Sequence, residues 1–228
     1  MLVMGLDTSL QCCSVSILRD GEVIADQSFG MERGHAEHLA PMAAAALIEA
    51  GVAIRDLDRV GVVVGPGGFT GVRVGLSFAR GLAIGTDLDV VGVTSLAALA
   101  ENIENAEPDA LIAPVIDARR GQLYAGLYRR GGALLIAPFV ATPEQVSETL
   151  QKVAGAHPVS LVGSGAAQIA HNSRDWVDSG VPEQISAKYV AQLAAAAPPP
   201  EGPPGPLYLR APDAKPPKPS RFQGISTK

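Results

Sequence analysis

The chain has 228 residues, and its 47% hydrophobic content is ample for one large domain or two small ones. Its 18 basic and 23 acidic residues give a net charge of −5, so overall electrostatics do not favour nucleic-acid binding. Aromatic residues make up only 4% of the chain, which argues against a surface built for stacking on bases.

The compartment is indicated by the cysteines and by the start of the chain. Cys12 and Cys13 are adjacent and point to opposite faces of a strand, so they are poorly placed to pair, and a reduced, cytoplasmic compartment is expected. Asp7 and Thr8 interrupt the apolar start, so we predict no signal peptide. Gly, Pro or charged residues break every apolar run before it reaches the length of a membrane span.

One pattern of predicted elements occurs twice, about 110 residues apart. Each copy begins with an apolar strand ending in a carboxylate, Asp7 or Asp117, and a hairpin turn glycine follows 14 residues later, at Gly21 or Gly131. Each copy continues with a third strand, a helix, an apolar strand and another helix. Two tandem β-β-β-α-β-α lobes predict an α/β protein of the actin-like ATPase (ribonuclease H-like) class.

Three regions follow from this pattern. We expect a first lobe over residues 1–104, a second lobe over 105–197, and a proline-rich, mostly disordered tail over 198–228. In the tail, only residues 207–209 look capable of docking as an edge strand. The first lobe should contain helices over 34–50, 72–84 and 96–101, and strands over 59–64 and 90–93. Thr142 should cap a helix of the second lobe, with Gln145 in capping-box spacing.

Two segments of the first lobe could bind phosphate. Asp7, Thr8 and Ser9 follow the first strand, where they could bind a metal-bound water and a phosphate, or could instead satisfy backbone groups in a tight turn. Residues 65–75 form a glycine-rich passage from a strand into a helix, and helix N-termini favour anions. The lysine of a Walker-type phosphate loop is missing after Gly71.

A metal site is not predicted. His35 and His38 are three residues apart, whereas zinc peptidase helices separate their histidines by four, so a metallopeptidase fails on ligand spacing. The other histidines, His157 and His171, belong to the other predicted lobe. We therefore expect neither a metal nor a cofactor.

The helices predicted at 34–50 and 72–84 are apolar or small on all sides. Such a helix needs burial on two sides, and one side must meet the sheet of its own lobe. Gly71, Gly75, Ala79 and Ala83 recur every four residues and permit close backbone approach. We expect the second side to meet another subunit, because a lobe of about 100 residues offers too little core for both.

Several segments resemble the bacterial TsaB (YeaZ) family. They comprise residues 6–9, 33–42, 65–76, 92–100, 116–124 and 208–210, and the similarity thins after about residue 128. The resemblance implies an actin-like fold and a role in making N6-threonylcarbamoyladenosine at position 37 of tRNA. In that system TsaD transfers the threonylcarbamoyl group, TsaB is its required partner, and TsaE is an ATPase. The metal-binding histidines of TsaD align with Ser95 and Leu99, which are not usual metal ligands.

The leading hypothesis is a non-catalytic cytoplasmic subunit that pairs with TsaD, with a second copy of itself when alone, with TsaE in the larger complex, and with tRNA only indirectly. The partner interface is predicted at nine positions: His35, Leu39, Met42, Ala46, Phe69, Arg73, Gly75, Leu76 and Ala79. The alternative is an actin-like ATP-dependent small-molecule kinase. That function requires a phosphate turn in the second lobe, where Arg119 and Arg120 stand instead; these could contact phosphate or RNA, or could simply be exposed.

Overall fold

The computed structural model describes residues 1–103, 107 and 109–210. The first half contains β1 (Leu2–Asp7), β2 (Cys12–Arg19), β3 (Glu22–Gly30), α1 (His35–Ala50), β4 (Arg59–Gly65), α2 (Phe69–Thr86), β5 (Asp89–Thr94) and α3 (Ser95–Glu101). The second half contains β6 (Leu111–Arg119), β7 (Gln122–Arg129), β8 (Leu134–Ala141), α4 (Pro143–Ala154), β9 (Val159–Val162), α5 (Ala166–Ile169), β10 (Trp176–Asp178) and α6 (Ala187–Ala196).

The two halves form sheets of identical topology. The first sheet has the order β3-β2-β1-β4-β5, and the second, read in the matching direction, has β8-β7-β6-β9-β10. In each sheet the first three strands are antiparallel, and the last two run parallel to the central strand. The prediction of two tandem lobes of the actin-like ATPase fold is confirmed. The sequence analysis missed β10, because three residues are too few to show a periodic pattern.

The elements stack in five layers. Helices α1 and α2 cover the outer face of the first sheet, and α4 and α5 cover the outer face of the second. Between the sheets lie α3, which packs on β6 and β7, and α6, which packs on β1, β2 and β4. Each half therefore contributes its last helix to the sheet of the other half. The central core joins residues of both sheets, such as Val63 and Ile116, with residues of the two helices between them, such as Leu96 of α3 and Val190 of α6.

Arg59 ties α6 to the first sheet. Its side chain is 7% exposed, and its Nη1 donates to the carbonyl oxygens of Ala194 and Ala197, at 2.8 and 2.7 Å. Its Nη2 lies 3.4 Å from the Asp89 carboxylate. A cation at the C-terminus of α6 complements the helix dipole. The sequence analysis assigned this helix to the second lobe, yet it packs on the first sheet.

Helix ends follow the local sequence. Thr94 caps α3 by accepting a hydrogen bond from the backbone N–H of Ala97 at 3.1 Å. Thr142 and Gln145 form the expected capping box at the start of α4. No helix within the described ranges is long and apolar enough to span a bilayer.

Residues 198–210, which we call the strap, lie against the first lobe, although the sequence led us to expect a mostly disordered tail. The backbone N–H of Leu207 donates to the carbonyl oxygen of Val64 at 2.8 Å. Arg80 donates to the carbonyl oxygen of Pro204 at 2.5 Å. The prolines of the strap have no N–H to donate, so its backbone hydrogen bonds are made through the N–H of Leu207 and through carbonyl oxygens such as that of Pro204. The rest of the tail, 211–228, is outside the described residues.

Candidate functional site

The turn after β1 is closed to solvent. The side chains of Asp7, Thr8 and Ser9 are at most 2% exposed. Asp7 Oδ1 accepts hydrogen bonds from the backbone N–H and the hydroxyl of Ser9, at 2.8 and 2.6 Å. The Thr8 hydroxyl donates to the carbonyl oxygen of Gly71 at 2.8 Å. The groups that were candidates for phosphate binding are thus bonded within the chain.

The glycine-rich segment packs directly on this turn. The backbone N–H of Gly68 donates to the carbonyl oxygen of Ser9 at 2.7 Å. A Cβ atom on Gly71 would lie 1.9 Å from the carbonyl oxygen of Thr8, and one on Gly75 would lie 2.8 Å from the Thr8 hydroxyl. The glycines therefore let α2 approach its own sheet, and the segment occupies the space beside the turn.

Burial also controls the charge of Asp7. Desolvation raises the pKa of its carboxyl from 3.8 to about 6, although the hydrogen bonds from Ser9 favour the ionised form. Among the described residues, Oδ2 of this carboxyl has no hydrogen-bond partner. The neighbouring thiol of Cys13 is also buried, and its pKa is raised to about 12, so it stays protonated and unreactive at neutral pH.

The equivalent turn of the second lobe carries arginines. The Asp117 carboxylate accepts a hydrogen bond from the backbone N–H of Arg119 at 2.7 Å. Arg119 and Arg120 are exposed and have positive φ angles of 62° and 57°. This turn has a single glycine, Gly121, and two arginines where a kinase would present a run of glycines and hydroxyls to phosphate, so nothing in the structure favours the kinase alternative.

The positions matching the metal ligands of TsaD are part of the core. Ser95 and Leu99 are fully buried, and the Ser95 hydroxyl donates to the carbonyl oxygen of Pro66. His35 hydrogen-bonds the carbonyl oxygen of Leu10 at 3.2 Å, and His38 stacks on Phe29. Within the part of the chain that the structure describes, no three His, Cys, Asp or Glu side chains lie close enough to hold a metal ion.

The nine predicted interface residues divide by exposure. Five of them are buried in the first lobe, although one, Leu39, also lines the groove described below: Leu39, Ala46, Gly75, Leu76 and Ala79. This corrects the prediction, because the small-residue stripe of α2 faces the sheet. His35 and Met42 are half-buried, whereas Phe69 and Arg73 are exposed.

An apolar groove of about 570 Å³ lies between α1 and α2 and is called the α1–α2 groove below. Its lining includes Leu39, Phe69 and Arg73, which the sequence analysis had selected, and Ala36, Ala40, Ser77 and Phe78, which it had not. These four lie outside the buried stripe of their helices, but so do other positions of α1 and α2, so the sequence alone could not single them out.

The strap contacts two of the residues that line this groove. Tyr208 stacks on Phe69 with ring centroids 5.8 Å apart, and its hydroxyl accepts a hydrogen bond from Arg73 Nε at 2.9 Å. The Arg73 guanidinium also lies 3.5 Å from the centre of the Phe69 ring. The sequence analysis selected residues 207–209 as able to dock but did not pair Tyr208 with Arg73, because nothing local links residues that are 135 positions apart.

Comparisons with known proteins agree with these observations. A family model described as TsaD, tRNA N6-adenosine threonylcarbamoyltransferase, matches residues 25–197. The tRNA threonylcarbamoyladenosine biosynthesis protein TsaB of Escherichia coli is 32% identical over 68% of this chain and 68% of that protein. The TsaB protein of Bacillus subtilis is 37% identical over 59% of this chain, which spans only 58% of that relative's length.

A crystal structure described as an uncharacterized protein with similarity to peptidase YEAZ from Pseudomonas aeruginosa superposes with a TM-score of 0.80. The two chains are 30% identical, and the match covers 92% of this chain and 99% of the other. Sequence and structure thus agree along nearly the whole described chain. The chain belongs to the TsaB (YeaZ) family.

Proposed function

We propose that this chain is a non-catalytic subunit of the complex that makes N6-threonylcarbamoyladenosine at position 37 of tRNA. It would support the threonylcarbamoyl transfer carried out by TsaD. The names of the relatives and the match to the TsaD family model support this role. We place the protein in the cytoplasm, and its two free, buried cysteines fit a reducing compartment.

The exposed apolar surface of α1 and α2 carries this proposal. Ile48 and Ile84 are 81% and 88% exposed, and the α1–α2 groove lies between the same two helices. Exposed large apolar side chains and an apolar groove on the same pair of helices are typical of protein–protein contacts. TsaD would dock here through its own equivalent helices, and a second copy of this chain would occupy the surface when TsaD is absent. TsaE would join the larger complex. This chain would contact tRNA only indirectly, through that complex.

A non-catalytic role is supported by the buried turn. The side chains of Asp7, Thr8 and Ser9 are bonded within the chain, and Ser95 and Leu99 replace the metal-binding pair of TsaD. A group that touches substrate needs access to it, and these groups have none in this structure. The subunit would therefore act through its contacts with TsaD and not through chemistry of its own.

The test places a bulky charge in the groove. Ala40 is exposed on α1 and lines the α1–α2 groove, so Ala40→Arg should weaken TsaD binding by about 5- to 150-fold, equivalent to about 1–3 kcal/mol. Ala167→Arg, at an exposed helical position in the second lobe, is the matched control and should bind normally. Titration calorimetry with purified TsaD measures both affinities, and thermal melting checks that both variants fold.

Two results would contradict the proposal. One is TsaD binding by the folded Ala40→Arg variant that equals binding by the Ala167→Arg control. The other is full threonylcarbamoylation of tRNA by the remaining components when this chain is left out of the assay.

A further inference from the structure

The α1–α2 groove contains one charged side chain. Among the described residues that line it, only Arg73 carries a charge, and the others are apolar or bear a neutral hydroxyl. Arg73 is exposed on α2. A partner that docks in the groove therefore meets apolar surface and a single positive charge.

The strap and α2 hold this arginine in one orientation. Its guanidinium carbon lies 3.5 Å from the centre of the Phe69 ring and 5.8 Å from the centre of the Tyr208 ring. The Nε of Arg73 donates a hydrogen bond to the Tyr208 hydroxyl at 2.9 Å. Ordering a free arginine side chain costs conformational entropy. Here contacts within the chain offset that cost before a partner binds.

Tyr208 is itself fixed by the packing of the strap on the first sheet. The backbone N–H of the preceding residue, Leu207, donates to the carbonyl oxygen of Val64 in β4 at 2.8 Å. A Cβ atom on Gly92 of β5 would lie 2.9 Å from the Cβ of Pro204, so a glycine at this position makes room for the strap. These contacts with β4 and β5 keep Tyr208 beside α2.

Arg73 has no acidic partner of its own. Within the part of the chain that the structure describes, no carboxylate pairs with Arg73, and its two Nη groups make no hydrogen bond. Its position in the second turn of α2 is also close to the positive end of the helix dipole, which does not stabilise a cation. The described residues therefore orient this charge without neutralising it. Nη1 and Nη2 together are a pair of donors that an arginine offers to a carboxylate in a bidentate contact.

We propose that Arg73, oriented by Tyr208 and Phe69, binds a carboxylate of the helix that TsaD docks into the α1–α2 groove. This inference rests on the proposed function and adds the chemistry by which the groove recognises its partner. Arginine and aromatic side chains supply much of the binding energy of protein interfaces, and a fork of two N–H donors fits Asp or Glu. An apolar groove accepts one face of an amphipathic helix, and the arginine favours helices with an acidic residue at the matching position. Tyr208 is a positioning residue, because it acts through Arg73.

The experiment measures the affinity of the full chain for purified TsaD by titration calorimetry at several salt concentrations. Arg73→Met should weaken binding by about tenfold or more and reduce the dependence of the affinity on salt, because it removes a charge-assisted contact. Arg80→Met is the matched control. It removes the other arginine of α2, which is also exposed and also contacts the strap but does not line the groove, so it should bind as the wild type does. Thermal melting checks that both variants fold.

A double-mutant cycle tests the role of Tyr208. Tyr208→Phe keeps a ring that can stack on Phe69 and removes only the hydroxyl that accepts the hydrogen bond from Arg73, so it should weaken TsaD binding by about two- to tenfold. In the Arg73→Met background the same substitution should have no further effect, since the hydroxyl acts only through the arginine. A residue needed merely for the folding of the strap would weaken binding equally in both backgrounds.

Three results would overturn this inference alone. Equal TsaD affinities of Arg73→Met and the wild type, alongside weak binding by Ala40→Arg, would show that the groove binds TsaD without using the arginine. Weaker binding by Arg73→Met with an unchanged salt dependence would mean that the side chain contributes only apolar packing. Loss of self-association with unchanged affinity for TsaD would assign Arg73 to contacts with a second copy of this chain. Absence of TsaD binding by the wild-type chain would overturn the proposed function together with the inference.

Discussion

At the scale of single residues, Asp7 is a carboxyl group that is completely removed from solvent. It is fully buried, with one carboxylate oxygen bonded to Ser9 and the other unpaired among the described residues. In an actin-like ATPase this position would face a nucleotide, whereas here it faces the interior of the chain. Burying an ionised carboxylate is costly, so the protonated form is favoured.

This burial predicts a pH dependence of stability. The folded pKa is about 6, above the ordinary 3.8, so the folded state holds the proton more tightly. The stabilisation is complete below about pH 4 and is lost as pH rises to about 6, a fall of about 3 kcal/mol in the free energy of unfolding. Asp7→Asn cannot ionise and keeps an oxygen acceptor for Ser9. The free energy of unfolding of Asp7→Asn, measured by urea denaturation and compared with that of the wild type, should therefore rise by about 3 kcal/mol between pH 4 and pH 7.

The other titrating groups are common to both proteins, so their contributions cancel in the difference between the two free energies of unfolding. A stability difference between Asp7→Asn and wild type that stays constant from pH 4 to pH 7 would show that Asp7 is ionised in the folded protein at both pH values.

At the scale of elements, α2 shows how a stripe of small residues can be misassigned. The stripe predicted a contact between subunits, whereas Gly71 and Gly75 lie against the turn that follows β1. Exposed Phe69 and Arg73 lie on the same helix, so α2 has both an inward face and an outward face. The only charged residues of this helix, Arg73 and Arg80, lie on the exposed side, whereas the buried side carries small and apolar residues alone.

Two glycines of α2 provide a matched test. A Cβ on Gly75 would lie 2.8 Å from the Thr8 hydroxyl, which cannot move without breaking its bond to Gly71, so Gly75→Ala should destabilise the chain by about 1–3 kcal/mol. Gly81 is exposed with nothing within 4 Å of such a Cβ, so Gly81→Ala should stabilise it by about 1 kcal/mol through helix propensity. Urea denaturation measures both. Equal effects of the two substitutions would mean that Gly75 is not in close contact.

At the scale of the whole molecule, the exchange of α3 and α6 makes the two lobes one structure. Each sheet has a face covered by a helix from the other half, and a shared core lies between them. Neither lobe could unfold without exposing the core of the other. The boundary near residue 104 therefore separates two topological repeats rather than two independently stable units.

Calorimetry should accordingly give one unfolding transition whose calorimetric and van't Hoff enthalpies agree. Arg59→Met removes the cation that holds the end of α6 and should lower stability by about 3 kcal/mol without splitting the transition. Arg55→Met, at a side chain that is 87% exposed, is the control and should change little. Two separate transitions in the wild type would contradict this account.

The sequence by itself determined the local elements and their order. Alternating strands, the Thr142 capping box and the repeated spacing from Asp7 and Asp117 depend on hydrogen bonds and propensities within a few residues, so they are legible without a structure. The family resemblance rested on the same short segments, and the comparisons confirmed it.

Only the tertiary structure decided which faces remain exposed. The inward direction of Gly75, the strap on the first lobe and the pairing of Tyr208 with Arg73 all join residues far apart in the chain. Contacts of this kind join segments that are far apart along the chain, and no local sequence pattern encodes them.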